Sequence, residues 1–136
     1  MANTFKFELV SPERLLVSED VAEVIVPGAE GDFTMLVNHA PFVAMLRPGI
    51  LRIPSLKGRE VQFYLGGGYA EANPDRLTVL AETAMPLEEL TAERLDAELA
   101  QAKADRETAP TAEARLLAED VVERLVSLKD TIGRAA

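Results

Sequence analysis

The chain contains no cysteine, a single histidine (His39) and only four serines, Ser11, Ser18, Ser55 and Ser127. Without cysteine there is no disulfide framework and no thiolate metal site, which fits a reducing compartment. Long apolar runs are also missing, since none approaches the ~18 residues that a membrane-spanning helix requires. The start, MANTFKFELV, lacks the basic residues and long apolar core of a signal peptide. Basic residues are scarce: 14 Lys and Arg face 23 Asp and Glu, for a net charge of −9 and a pI near 4.6. Such a surface repels phosphate backbones and gains nothing from anionic lipid, so nucleic acid is excluded as a partner. The chain is expected to be soluble and cytoplasmic, reaching any membrane only through a partner.

Glycine and proline are unevenly spread. Seven of the eight prolines and seven of the eight glycines lie in residues 1–86, whereas Leu87–Ala109 and Thr111–Ile132 contain neither. These residues punctuate short strands, and long stretches without them permit helices. The sequence therefore predicts two domains, residues 1–86 and residues 87–136, with a boundary near Pro86. In the first, Phe5, Phe7 and Leu9 alternate with Lys6 and Glu8, Val61, Phe63 and Leu65 with Gln62 and Tyr64, and Leu77, Val79 and Ala81 stand at period two beside Thr78 and Glu82. Period-two patterning buries one face of a sheet. Leu56-Lys57-Gly58-Arg59 and Asn73-Pro74-Asp75-Arg76 read as turns, Pro74 presetting φ, and Arg47-Pro48-Gly49-Ile50 reads as a type II turn with Gly49 at positive φ. Short strands at this turn frequency predict an all-β sandwich or barrel.

The second domain predicts two helices. Ala92, Leu95, Leu99 and Ala102 form one stripe, and Leu117, Val121, Leu125, Leu128 and Ile132 form another. Pro110 separates them, Thr108 or Thr111 is placed to cap the second, and Gly133 is placed to end it. Asp120 and Arg124 stand at i, i+4. A connection this short makes an antiparallel hairpin. Its first helix is rich in alanine, which contributes far less on burial than the roughly 1.5–3 kcal/mol of a leucine. A lightly docked hairpin is expected, with hydrogen-exchange protection below that of the sandwich.

Candidate chemistry is thin. Asn38-His39-Ala40-Pro41 offers no second imidazole, thiol or close carboxylate, so His39 reads as a packing or turn-stabilising ring rather than a metal ligand. No serine lies in Gly-x-Ser-x-Gly. Gly66-Gly67-Gly68 lacks the Lys-Ser/Thr of a phosphate loop and reads as a bulge or close backbone crossing. Gly28 and Gly31 likewise read as a loop around Ala29-Glu30 rather than a nucleotide fingerprint. Glu88, Glu89, Glu93, Asp96, Glu98, Asp105 and Glu107 alternate with the apolar stripe and read as a solvated helix face rather than paired acids for hydrolysis. Neither half is basic: residues 1–86 carry seven Lys/Arg and eleven Asp/Glu, and residues 87–136 carry seven and twelve. No catalytic, cofactor-binding or metal-binding residue is assigned, and the residues favour a non-enzymatic protein.

One stretch is distinctive. Gly28-x2-Gly31-x-Phe33-x2-Leu36-x2-His39-Ala40-Pro41, followed by Leu46-x-Pro48-Gly49-x3-Ile53, resembles the signature of the epsilon subunit of bacterial and chloroplast F-type ATP synthases, whose mitochondrial counterpart is called delta. Gly66-Gly67-Gly68-Tyr69-Ala70-Glu71 and the opening Phe7-Glu8-Leu9-Val10-Ser11-Pro12-Glu13 resemble further family markers, and the likeness runs through the two-helix tail. The resemblance implies a ten-stranded β-sandwich followed by a C-terminal antiparallel two-helix hairpin. It implies a non-catalytic rotor subunit of the central stalk, bound to the gamma subunit and the c-subunit ring. That complex sits at the cytoplasmic face of the bacterial inner membrane. In many relatives the hairpin extends towards the alpha and beta subunits and restrains ATP hydrolysis. Here Arg115, Arg124, Lys129 and Arg134 are diluted by Glu113, Glu119, Asp120, Glu123 and Asp130. Some relatives bind ATP through a motif resembling Ile/Leu-Asp-x-x-Arg-Ala with a further arginine downstream. The aligned residues are Leu95-Asp96-Ala97-Glu98-Leu99-Ala100, with Arg106 downstream, so Leu99 stands where the nucleotide-binding arginine belongs and weak or absent ATP binding is expected. Two readings compete with the rotor subunit. A free-standing nucleotide sensor is opposed by Leu99, and a small hydrolase lacks a positioned nucleophile.

Overall fold

The computed structural model describes the backbone of residues 3–135 and the side chains of residues 3–131. The chain divides into two compact units, Met1–Leu87 and Glu88–Ala136. The first holds β1 (Phe5–Val10), β2 (Leu15–Val21), β3 (Glu23–Gly28), β4 (Gly31–Leu36), β5 (Phe42–Leu46), β6 (Gly49–Leu56), β7 (Arg59–Leu65), β8 (Gly68–Asn73), β9 (Arg76–Ala81) and β10 (Ala84–Pro86).

The hydrogen-bonded order is β10-β7-β6-β3-β5-β8-β9-β1-β2, with β4 pairing on β3. β3 is the seam, because it meets β6 only at Ile25↔Arg52 and β5 only at Gly28↔Leu46. One layer is therefore β10-β7-β6 with β3 and β4, and the other is β5-β8-β9-β1-β2. Among the described residues the pairings are antiparallel except β1 with β9. The inner faces of both layers share one core, in which Phe7, Leu9, Val24, Val26, Leu51, Ile53, Leu65, Leu77 and Val79 are fully buried. The expected alternation is what fills it: β1 runs buried, half-buried, buried along its whole length.

The turns follow local chemistry, with one correction. Lys57 and Gly58 both have positive φ, 54° and 83°, which makes Leu56–Arg59 a type I′ hairpin turn. At Asn73–Arg76 the Asn73 side-chain oxygen accepts from the Asp75 amide at 3.3 Å. Gly49 is not among the residues of positive φ, so the expected type II geometry does not form. Glycine is required there for another reason: a Cβ would lie 2.9 Å from the Cβ of Pro27. The period-two pattern also breaks at Tyr64, which is fully buried although it points away from the core face of β7. Its cross-strand neighbours on that face are the apolar Ile50 and Met85.

A single 3-10 turn, Leu87–Glu89, spans the boundary, and the second unit holds α1 (Ala92–Glu107) and α2 (Ala112–Ala135). Thr91 caps α1, accepting from the Arg94 amide at 3.1 Å. Of the two candidate caps for α2, Thr111 does the work, accepting from the Ala114 amide at 3.0 Å. Thr108 instead closes α1, its hydroxyl donating to the Ala104 carbonyl at 3.0 Å. Leu95 and Ala102 of α1 and Val122 and Leu125 of α2 are buried where the helices pack. Ala92 and Leu117, expected in the stripes, are exposed, and Val122 takes the place of Leu117. α2 continues through Gly133, which therefore does not end it. The side chains of Ile132 and Arg134 lie outside the described residues.

Candidate functional site

Cross-strand register assembles a surface from residues scattered through the chain. On the outward face of β5-β8-β9-β1-β2, Met45 pairs with Tyr69, Tyr69 with Leu80, Leu80 with Val10, and Val10 with Leu15. This is an unbroken apolar row across five strands, about 19 Å long at ~4.8 Å per strand. Leu15, Met45 and Tyr69 are exposed to 57%, 64% and 39%, and Leu80 and Val10 are half-buried. Ser11, Pro12 and Glu82 border a shallow concavity along it.

The row depends on a glycine. A Cβ on Gly68 would lie 2.1 Å from the Leu80 carbonyl oxygen, and its φ is +130°. Only glycine lets β8 enter so close to β9 and set Tyr69 beside Leu80. The neighbouring Gly66 amide donates to the Thr83 carbonyl at 2.8 Å and the Glu82 amide to Gly67 at 3.0 Å. The glycine triplet is thus the close backbone crossing expected of it.

Polarity changes stepwise away from this row. The next row on the same face is Val43, Glu71, Thr78, Glu8 and Ser18, and the third is Asn73, Arg76, Lys6 and Asp20. Arg76 reaches across to Glu8 at 2.7 Å. Val43, 67% exposed, extends the apolar surface towards the β3–β4 turn at Ala29-Glu30. Lone exposed apolar residues are ordinary, but a contiguous series rimmed by polar groups marks an interaction site.

His39 lies at the other end of the sandwich. Its Nδ1 is 2.8 Å from the Leu36 carbonyl oxygen and its Nε2 is 3.3 Å from that of Arg76, while the ring stands edge-on to Phe5 at 5.2 Å. It ties the β4–β5 connection to the start of β9, in keeping with a turn-stabilising ring. The helical carboxylates are dispersed: Asp96 pairs with Lys129 at 2.5 Å, Glu98 with Arg94 at 3.5 Å and Glu107 with Arg106 at 3.3 Å. Among the described residues no three His, Asp or Glu side chains gather into a metal site, and no helix is long and apolar enough to cross a membrane.

The sandwich thus carries on one outward face an apolar row of the kind that marks an interaction site. The sequence profile of the ATP synthase delta/epsilon chain β-sandwich domain matches residues 4–87, and the chain belongs to this ATP synthase epsilon-chain family. The epsilon chain of Mesorhizobium japonicum is 40% identical over 132 residues, covering 97% of this chain and 98% of its own length. That of Paramagnetospirillum magneticum is 46% identical over 126 residues, covering 88% and 95%. A chain in the Euglena gracilis mitochondrial ATP synthase assembly of OSCP, F1 and c-ring superposes with a TM-score of 0.72 at 27% identity, over 97% of this chain and 83% of that one. A chain in the central stalk and c-ring of the Tetrahymena thermophila mitochondrial enzyme shares the fold, with a TM-score of 0.62 at 12% identity over 92% and 96%. The chain is accordingly an accessory, non-catalytic subunit of an F-type ATP synthase complex.

Proposed function

We propose that this chain is a rotor element of the central stalk, coupling rotation of the c-ring through the gamma subunit to ATP synthesis. Residues 1–86 form the body that grips gamma and the c-ring, and residues 87–136 form a regulatory arm. The apolar row from Met45 to Leu15 carries this reading, because it is a docking strip laid on a packed, stiff sandwich. Torque passes only through a body that deforms little, clamped at a surface that excludes water. The complex sits at the cytoplasmic face of the bacterial inner membrane, and this chain meets the membrane through it. The direct test uses membranes stripped of the chain and refilled with native protein or with Tyr69→Asp. Proton-driven ATP synthesis returns with the native chain and not with the variant. Equal recovery with both would refute docking through this face.

The hairpin reading rests on how its charges are engaged. In the folded hairpin Lys129 is held by Asp96 and Arg115 by Glu119 at 3.5 Å. Opening frees Lys129 for acidic surface on the alpha and beta subunits, which is the restraint on ATP hydrolysis proposed for the arm. A chain ending at Pro86 tests it in the holoenzyme: hydrolysis rises if the arm is a brake, and unchanged hydrolysis in every energisation state eliminates one. ATP binds the folded hairpin weakly or not at all, since Leu99 supplies no charge, Lys129 occupies Asp96 and Glu107 occupies Arg106. Absence of one charge-assisted contact removes ~1.5–3 kcal/mol. Calorimetry on the isolated chain is expected to give no micromolar binding.

A further inference from the structure

His39 meets two backbone acceptors at once. Its Nδ1 lies 2.8 Å from the Leu36 carbonyl oxygen and its Nε2 3.3 Å from that of Arg76. A neutral imidazole has one N–H to donate and presents a lone pair at its other nitrogen, whereas the imidazolium donates from both. Between two carbonyl oxygens, the neutral ring satisfies one and turns its lone pair on the other. The charged ring satisfies both, and hydrogen bonds from a charged donor are the stronger kind. The two contacts also differ in reach. Leu36 is 3 residues away, so that bond closes the β4–β5 connection on itself, while Arg76 is 37 residues away and opens β9. The ring stands against Phe5, a buried member of the sandwich core.

From this geometry we infer that His39 is a proton-dependent staple. The doubly protonated ring ties residues 37–41 to β9, and loss of one proton releases the Nε2 contact with Arg76 while the shorter Nδ1 contact with Leu36 stays. Imidazole is the side chain that ordinarily changes charge between about pH 5 and 8, and His39 is the only one in the chain. The charged residues of β1, β4 and β9, the strands it touches or adjoins, are Lys6, Glu8, Asp32 and Arg76, with Asp75 just before β9 and Glu23 opposite Leu36. Glu8 and Arg76 hold each other at 2.7 Å, and Asp32 stands at the far end of β4. The ring's own hydrogen-bonding contacts are the two carbonyl oxygens. Its second donor exists only on the acid side of the ring's titration, so the stability it contributes is present in acid and lost as pH rises.

The experiment compares urea unfolding of the full native chain, His39→Gln and His39→Phe at about pH 5.5 and about pH 8.5, on either side of the imidazole range. Taking native against variant at each pH cancels the titration of the other groups. His39→Gln keeps a donor that does not titrate, and His39→Phe keeps a ring beside Phe5. The native advantage in folding equilibrium constant is expected to be about five-fold larger at the acid pH than at the alkaline one. An equal advantage at both makes His39 a structural ring only and overturns the staple. A larger advantage at the alkaline pH overturns it as well, because the fold then favours the neutral ring. Proton NMR of the native chain gives a second reading that needs no variant. Both ring N–H signals of the sole histidine are expected at acid pH, sheltered from exchange with water by their carbonyls, and the Nδ1–H signal alone at alkaline pH. A single ring N–H signal at acid pH contradicts the inference.

Discussion

A methyl group at position 68 would lie 2.1 Å from the Leu80 carbonyl oxygen and 2.8 Å from the Ala81 Cα, both backbone atoms that no rotamer change can move aside. Gly68→Ala is therefore expected to abolish soluble expression or to give a chain without cooperative unfolding in circular dichroism. Gly49→Ala is milder, because the clash is with Pro27 at 2.9 Å and backbone φ is ordinary there. Overpacking of this kind costs about 1–3 kcal/mol, measurable as a lower denaturant midpoint. At the centre of the core, Phe7→Ala removes a fully buried ring and costs roughly 3–5 kcal/mol in the same measurement. Gly49 also shows where single-residue reading stops. Arg47-Pro48-Gly49-Ile50 has the composition of a type II turn, but the demand on Gly49 comes from Pro27, which is distant in sequence and adjacent only once β3 and β6 are paired.

At the scale of elements, the strands were legible where one face alone is buried, as in β1, and obscure where both faces are covered. Tyr64 occupies an outward position of β7 beside Ile50 and Met85 yet is fully buried, a fact that its own neighbours in sequence do not carry. The helices were legible as elements and less so as faces. Leu117 is 65% exposed while Val122 is buried, because the side of α2 that is covered is chosen by where α1 crosses it. The apolar row was not legible at all. Its five members come from five strands, and each stands alone in its own segment between polar or inward-facing residues. Two tests belong at this scale. Thr111→Ala removes the oxygen that satisfies the Ala114 amide and lowers hairpin stability by about 1 kcal/mol, read from helical signal during unfolding. Asp96→Asn loosens an ion pair whose partners are about half exposed, so it costs at most ~1 kcal/mol in the same assay.

At the scale of the whole molecule, the two units differ in how they are held. The sandwich buries its aromatic and branched residues in one shared core, whereas α1 contributes only Leu95 and Ala102 as buried residues. Native-state hydrogen exchange is expected to show amides of α1 and α2 exchanging faster than those of β1, β8 and β9, which reach the global unfolding limit. Equal protection in both units would remove the basis for an arm that opens. On the proposed function, the sandwich would supply stiffness and grip within the synthase, and the hairpin would supply a second, less stable arrangement that partners can bias. The most direct test of this account is capture of gamma with the c-ring from detergent-solubilised membranes, using tagged native chain and tagged Leu80→Asp side by side. The account predicts that the native chain recovers both partners and that the variant, although folded, recovers neither. Undiminished recovery by Leu80→Asp would contradict it.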